Sequence, residues 1–366
     1  MKHLIVAAAG TGGHVMPGLA VADVMRQRGW SVSWLGTARG MERALVEPRG
    51  LEFDALDFSG VRGKGLMTLL MGGLRLLRAA WQARRLLRQR RASVLFSTGG
   101  YVAVPAGWAA ASARVPVVLL NADAAPLMST RLLRPVMRAL LCGFEGEAAQ
   151  RCGGRVTGNP VRAQIAQVPA PALRFAGRTG PLRVLVVGGS LGAQVLNDIV
   201  PQALALLLSG QSAGQGVEVV HQCGAQHAQA ARNAYAQAGV RAEVLTFIDD
   251  MAARYTWADV VLCRAGAVTV TELCAAGVAS ILVPFIARTT AHQRSNAQWL
   301  AQQGAALHVP QTELTAQRLS AQLQTLTRER LLAMAQAARA AGRADAAEKV
   351  ADAIEAVAGV TRETTR

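Results

Sequence analysis

The stretch Leu4-Ile5-Val6-Ala7-Ala8-Ala9-Gly10-Thr11-Gly12-Gly13-His14 decides the fold. It reads as a short buried strand, Leu4 to Ala9, running into a glycine-rich loop, with an amphipathic helix from Pro17 to Arg28 stopped by Gly29. The same order returns far downstream: strand Arg183-Val184-Leu185-Val186-Val187, loop Gly188-Gly189-Ser190-Leu191-Gly192, and helix from Ala193 onward. Two such openings in one chain imply α/β architecture with two Rossmann-like, doubly wound domains. Further strands are predicted at Ser31–Leu35, Val94–Ser97 and Pro116–Leu120, then at Val217–His221, Ala242–Phe247, Val260–Cys263 and Ser280–Val283. The segment holding Pro160, Pro169, Pro171 and Pro181 reads as the hinge, so the expected domains are 1–162 and 163–344. The Ala-rich tail from Thr315 to Val357 reads as helical with a break around Gly342. Asp345 is then the N-cap of a last helix, about 345–366, expected to pack back on the first domain.

A chain of 366 residues, 51% hydrophobic, can bury two cores. The apolar run after Met1 is too short for a signal peptide, so the protein is expected to stay in the cytoplasm. Five cysteines without C-x-x-C spacing read as small buried hydrophobes rather than metal ligands or disulfides. Ala92 to Ala113 is uncharged but punctuated by Gly99, Gly100, Pro105 and Gly107, which suits strand, loop and helix start better than a membrane span. The formal charge of +16 would favour nucleic acid through counterion release. Three tyrosines and seven phenylalanines offer few stacking platforms, however, and an anionic membrane or a phosphorylated substrate accounts for the same charge.

A glycine loop between strand and helix turns backbone N–H groups toward a phosphate, or is simply a tight turn. A dinucleotide dehydrogenase requires G-x-G-x-x-G and an acid about 20 residues on. Here Val15 takes the place of the third glycine and the second strand ends in Leu35-Gly36-Thr37, so that reading falls. The later loop Arg264-Ala265-Gly266-Ala267-Val268-Thr269-Val270-Thr271-Glu272 places small residues and a carboxylate at a helix opening. Glu272 either accepts both hydroxyls of a ribose or serves the helix N-terminus.

Six motifs carry a resemblance. Gly10-Thr11-Gly12-Gly13-His14-Val15-Met16-Pro17-Gly18, Ser59-Gly60-Val61-Arg62-Gly63-Lys64-Gly65, Gly99-Gly100-Tyr101, Gly158-Asn159-Pro160-Val161-Arg162, Gly188-Gly189-Ser190 and Arg264-Ala265-Gly266-Ala267 resemble, in order, the bacterial MurG family. The resemblance implies a GT-B fold with two Rossmann-like domains facing a central cleft. It also implies inverting transfer of N-acetylglucosamine from UDP-N-acetylglucosamine to undecaprenyl-pyrophosphoryl-N-acetylmuramyl-pentapeptide, with no metal or other cofactor. By matching position, Arg162 and Ser190 would hold the phosphates or ribose, and the Ile248 backbone would pair with uracil. Ala267, Val268, Thr269, Val270, Thr271 and Glu272 would hold phosphate and ribose, and Gln293 the sugar hydroxyls. Thr11, Gly12 and Gly13 would face the reacting sugar and the acceptor pyrophosphate. The chain departs from the family at Leu120-Asn121-Ala122-Asp123, where His-Glu-Gln-Asn is usual, at Leu191, where glutamine is usual, and at Thr289-Thr290-Ala291-His292-Gln293, which lacks an acid.

An inverting transfer needs a base for the acceptor hydroxyl. His14 in its glycine loop suits that role, Asp123 is the alternative, and His14 as a phosphate or backbone donor stays open. His221, His227 and His308 read as structural. From Ser59 to Leu120 there is no acid, while Arg62, Lys64, Arg75, Arg78, Arg84, Arg85, Arg88, Arg90 and Arg91 accumulate beside Leu66, Leu69, Leu70, Leu74 and Trp81. That mixture reads as a peripheral contact with anionic lipid at the cytoplasmic face of the inner membrane. A UDP-N-acetylglucosamine 2-epimerase and a non-catalytic nucleotide-binding scaffold are the competing readings.

Overall fold

The computed structural model describes residues 2–10, 12–38, 40–58, 66–189, 192–210, 216–285 and 292–359, with 66–70 by backbone alone. The chain divides into unit 1, Met1–Arg162 with Arg343–Arg366, and unit 2, Ala163–Gly342. Unit 1 holds strands β1 (His3–Ala8), β2 (Ser31–Thr37), β3 (Glu52–Leu56), β4 (Val94–Gly99), β5 (Val117–Asn121), β6 (Ala139–Cys142) and β7 (Arg155–Val156). Its helices are α1 (Gly12–Gln27), α2 (Glu42–Val46), α3 (Leu66–Gln89), α4 (Ala103–Ser112), α5 (Met128–Leu133) and α6 (Glu147–Cys152). Unit 2 opens with α7 (Ala163–Ala166) and α8 (Pro171–Phe175); Pro171 starts α8, Pro169 and Pro181 lie between elements, and Pro160 lies in unit 1 just before the division at Arg162. Its strands are β8 (Leu182–Val187), β9 (Val217–Gln222), β10 (Glu243–Leu245), β11 (Val260–Cys263), β12 (Ala279–Leu282) and β13 (Ala306–His308). Between and after them run α9 (Gln194–Ser209), α10 (Ala228–Gln237), α11 (Met251–Trp257), α12 (Ala267–Ala276), α13 (His292–Gln302), α14 (Ala316–Gln324) and α15 (Arg328–Ala341). Helix α16 (Ala346–Val357) returns to unit 1.

Both sheets are wholly parallel, in the orders β3-β2-β1-β4-β5-β6-β7 and β10-β9-β8-β11-β12-β13. Each therefore reverses direction of winding beside its first strand, between β1 and β4 and between β8 and β11. Ligands of open α/β sheets bind at the carboxyl ends of the strands flanking such a point. Gly10 follows β1, with Gly12-Gly13 opening α1, and Gly99-Gly100-Tyr101 ends β4. Gly188-Gly189 follows β8, and Arg264-Ala265-Gly266 follows β11. Four of the sequence motifs thus border the two switch points, while Gly158–Arg162 follows the edge strand β7.

Period-two alternation explains the continuous apolar runs. Leu4 and Val6 face one core with Leu19, Trp34 and Ile354, whereas Ile5 and Ala7 face another with Leu35, Leu87 and Ala106. Burying each such Leu or Ile side chain contributes about 2 kcal/mol. Helix α16 completes the first of these cores with Val350, Ala351 and Ile354. Arg28 fixes it through Glu348, Asp352 at 2.9 Å and Glu355 at 2.9 Å, while Trp30 Nε1 donates to Glu355 at 3.3 Å. Asp345 stands at the N-cap but makes no capping bond, and pairs instead with Lys349 at 2.8 Å.

Helix α1 starts at Gly12 instead of Pro17, because the switch point needs helical N–H groups directly after the strand and tertiary packing overrides the low helix propensity of Gly12 and Gly13. His14 therefore stands in the first turn of a helix, not in a loop.

Candidate active site

In unit 1, Thr98 and His14 hold each other. His14 Nδ1 donates to the Thr98 carbonyl at 2.9 Å, and Thr98 Oγ1 donates to the His14 carbonyl at 2.7 Å. A carbonyl only accepts, so the proton of a neutral ring sits on Nδ1 and Nε2 keeps its lone pair. Gly99 and Gly100 have φ of 100° and 81°. A Cβ at Gly100 would lie 2.3 Å from the Ala9 carbonyl oxygen, and one at Gly99 would lie 3.2 Å from His14 Cε1. Only glycine lets β4 turn this close to β1 and the histidine ring. The same Gly99 position is 3.6 Å from Ser129 Oγ, so α5 reaches the surroundings of His14.

Asp123 is buried in the loop between β5 and α5. Asn121, at the end of β5, is fully buried. Gly12 and Gly13 form the start of α1. Arg162 is half-buried at the end of the first stretch of unit 1. Thr11, Ser190 and the motif of residues 59–65 lie outside the described residues.

In unit 2, α12 opens on Gly266, whose extended backbone leaves the amides of Ala267, Val268 and Thr269 without intrahelical acceptors. Thr271 Oγ1 donates back to the Ala267 carbonyl at 2.8 Å, and Val270 packs wholly inside. Glu272 stands in the second turn rather than at the helix opening, is 6% exposed, and accepts from Tyr255 at 3.4 Å. The arrangement around α13 escaped the sequence reading. Arg264 Nη1 donates to the Val283 carbonyl at 3.1 Å and to Gln311 Oε1 at 2.8 Å, and its guanidinium lies 5.2 Å from the centre of the Phe285 ring. Burial pushes its pKa below the usual arginine value. Gln293 Oε1 accepts from the Phe285 amide at 2.9 Å, and Asn296 donates to the Ala265 carbonyl at 3.1 Å. Arg264 and Gln293 are thereby joined through Phe285. Thr289, Thr290 and Ala291 lie outside the described residues.

Ile248 is buried beside the exposed Phe247 on a groove of about 540 Å³, also lined by Asp250, Arg254 and Trp257. Asp250 caps α11 by accepting from Ala253 N at 2.9 Å. His221, read as structural, hydrogen-bonds Tyr235 at 2.9 Å. Among the described residues, no cluster of three or more His, Cys, Asp or Glu could hold a metal ion, and no helix is long and apolar enough to cross a membrane.

Two parallel α/β units, each with glycine motifs at its switch point, form a GT-B fold, and the family-28 models place the chain among the glycosyltransferases of that fold. CalG4, the calicheamicin glycosyltransferase, shares this fold at 16% identity and a TM-score of 0.67, over 99% of this chain and 100% of that one. Residues 4–141 match the glycosyltransferase family 28 N-terminal domain, and residues 183–356 the glycosyltransferase family 28 C-terminal domain. MurG of Acinetobacter baumannii superposes with a TM-score of 0.83 at 35% identity, covering 97% of this chain and 100% of that one. A UDP-N-acetylglucosamine--N-acetylmuramyl-(pentapeptide) pyrophosphoryl-undecaprenol N-acetylglucosamine transferase of Methylibium petroleiphilum is 56% identical over 97% of both chains. A transferase of the same name from Janthinobacterium is 53% identical over 99% of this chain and 100% of the relative. The chain belongs to glycosyltransferase family 28 and, within it, to the MurG family.

Proposed function

We propose that this enzyme moves N-acetylglucosamine from UDP-N-acetylglucosamine to undecaprenyl-pyrophosphoryl-N-acetylmuramyl-pentapeptide, working peripherally at the cytoplasmic face of the inner membrane in peptidoglycan synthesis. The observation that carries this reading is the 56% identity, over 97% of both chains, to a transferase of that name. It sets aside the epimerase and the scaffold.

The donor is read onto unit 2. The first-turn amides of α12 take a phosphate, Glu272 the ribose hydroxyls, the Ile248 backbone the uracil, and Gln293 the sugar. Arg162 and Ser190 serve the nucleotide. The acceptor is read onto unit 1, with Thr11, Gly12 and Gly13 at its pyrophosphate. The acceptor hydroxyl attacks the anomeric carbon from the face opposite UDP as its proton passes to His14 Nε2, the nitrogen left basic by the Thr98 bond. The bond to the UDP oxygen breaks, and the helix N-terminus and Arg162 meet the developing negative charge. Asp123 is the other candidate base.

Helix α3 supports the membrane reading. Leu74, Leu77 and Trp81 are each more than 60% exposed, and Arg75, Arg78, Arg85 and Arg88 are exposed among them. Arg84 and Arg90 leave the lipid-binding set, since Arg84 donates to the Ser112 carbonyl and Arg90 pairs with Asp54 and Glu52. The side chains of Leu66, Leu69 and Leu70 lie outside the described ones.

Radiolabelled UDP-N-acetylglucosamine with a short-chain lipid acceptor, with and without EDTA, tests the reaction. Lipid-linked disaccharide in both arms is expected, and free epimerised sugar would overturn it. In the same assay His14→Ala should lower kcat by about 10²- to 10⁴-fold with donor KM little changed.

A further inference from the structure

We infer that Asn121 is a positioning residue for the acceptor side of the site, holding the buried loop that carries Asp123 in one shape. Its carboxamide makes four hydrogen bonds. Nδ2 donates to the carbonyls of Asp123 at 2.6 Å and Ala125 at 3.1 Å, and Oδ1 accepts from Leu127 N at 2.9 Å and Thr130 Oγ1 at 2.6 Å. The loop is irregular backbone sunk in the unit, with Ala122, Asp123 and Ala124 all at most 5% exposed. Buried carbonyls need donors. Here four consecutive carbonyls each receive a donor: Ala122 from Asn159 Nδ2 at 2.8 Å, Asp123 and Ala125 from Asn121, and Ala124 from Ala148 N at 3.0 Å.

Two donors and an acceptor on one planar group are what an amide supplies and a carboxylate does not. The asparagine is thus matched to this loop: a carboxylate of the same shape here would set oxygens against two carbonyl oxygens. Thr130 belongs to α5 and Leu127 is its N-cap, so the two bonds to Oδ1 also seat a helix whose Ser129 Oγ lies 3.6 Å from the Gly99 Cβ position that His14 borders at 3.2 Å.

This inference rests on reading Asp123 as an acceptor-site group, and the test separates the two. Asn121→Asp keeps the shape and removes both donors at pH 8. Protonation restores one donor, and facing carbonyls raise the pKa of such a buried carboxyl. Nearby titratable groups have other ties: Glu145 pairs with Arg343, Glu147 with Arg151, and burial pushes the Cys142 thiol up to about 12.

The expected result for Asn121→Asp is at least a tenfold loss of acceptor kcat/KM at pH 8, recovering several-fold relative to wild type at pH 6, with the KM for UDP-N-acetylglucosamine unchanged. Asn121→Ala should lose activity equally at both pH values. In the double variant with Asp123→Ala, the two losses should overlap instead of multiplying. Wild-type kcat/KM for Asn121→Asp at both pH values, or a lowered melting temperature with unchanged kcat/KM, overturns the positioning role. A wild-type result for Asp123→Ala alone overturns the Asp123 reading, and a persisting pH-dependent loss in Asn121→Asp then assigns the positioning role to α5 and His14.

Discussion

His221 is wholly buried on β9, hydrogen-bonded to Tyr235, and burial pushes its pKa down to about 4. The unfolded chain titrates near 6.5, so the folded form binds the proton less well. Stability is fully present above pH 6.5 and falls as the pH drops from there toward 4, by about 3 kcal/mol at most. Melting curves of His221→Gln should show a shallower acid limb than wild type across that window, and parallel limbs would clear His221 of the effect. Glu272 bears on function instead. Glu272→Ala should raise the donor KM, and a 2′,3′-dideoxyribose donor should serve wild type and variant equally poorly. A variant that discriminates between the two donors as wild type does would remove Glu272 from the ribose. Glu272 stood out in the sequence because its motif is contiguous, and the structure adds its burial and Tyr255. The role of Asn121 was illegible, because it depends on where two carbonyls fall in space and no spacing encodes that. The partners of His14 were hidden for the same reason: Thr98 is 84 residues away.

Helix α3 shows what a pattern can and cannot say about an element. Ala79, Ala83 and Leu87, at intervals of four, are its buried stripe against the core that includes α4. The exposed face mixes leucines, Trp81 and arginines. Replacing Arg75, Arg78 and Arg85 by glutamine should weaken binding to anionic vesicles at low salt by about 3 kcal/mol, at about 1 kcal/mol each. Neutral vesicles and turnover of a water-soluble acceptor analogue should be unaffected. Loss of activity on the soluble analogue would put these arginines in the catalytic machinery instead. Central strands such as β8 and β11 were readable because both faces are buried and the apolar run is continuous. Strand β3, Glu52–Leu56, went unrecognised: it lies at the sheet edge, where Glu52 and Asp54 pair with Arg90 and break the apolar signal. Strands β6, β7 and β13 are too short for periodicity to register.

At the scale of the whole molecule, two units whose core clusters share no residue imply two separable meltings. Arg174 is a keystone of unit 2: it donates to the carbonyls of Pro169, Tyr255, Ala276 and Gly277, joining the ends of α11 and α12 to α8. Burial, with Arg178 and Arg339 nearby, pushes its pKa down to about 10, so it stays charged at neutral pH. Arg174→Met strands those carbonyls at a cost of about 3 kcal/mol. In scanning calorimetry of the full chain, one transition should fall by roughly 6–12 °C. UDP at 100 times its Kd should stabilise that same transition by about 2.7 kcal/mol and leave the other in place. If UDP raises the transition that Arg174→Met spares, the donor does not belong to unit 2. The return of α16 to unit 1 adds an ordering in time. Synthesis proceeds at roughly 5–20 residues per second, so the face of β1 and α1 that awaits Val350 and Ile354 stays uncovered while all of residues 163–342 leave the ribosome. A nascent chain therefore carries a greasy, half-finished first domain for on the order of ten seconds or more. A message cut short before α16 would yield a product that chaperones hold and proteases remove, even with every motif of the active site already translated.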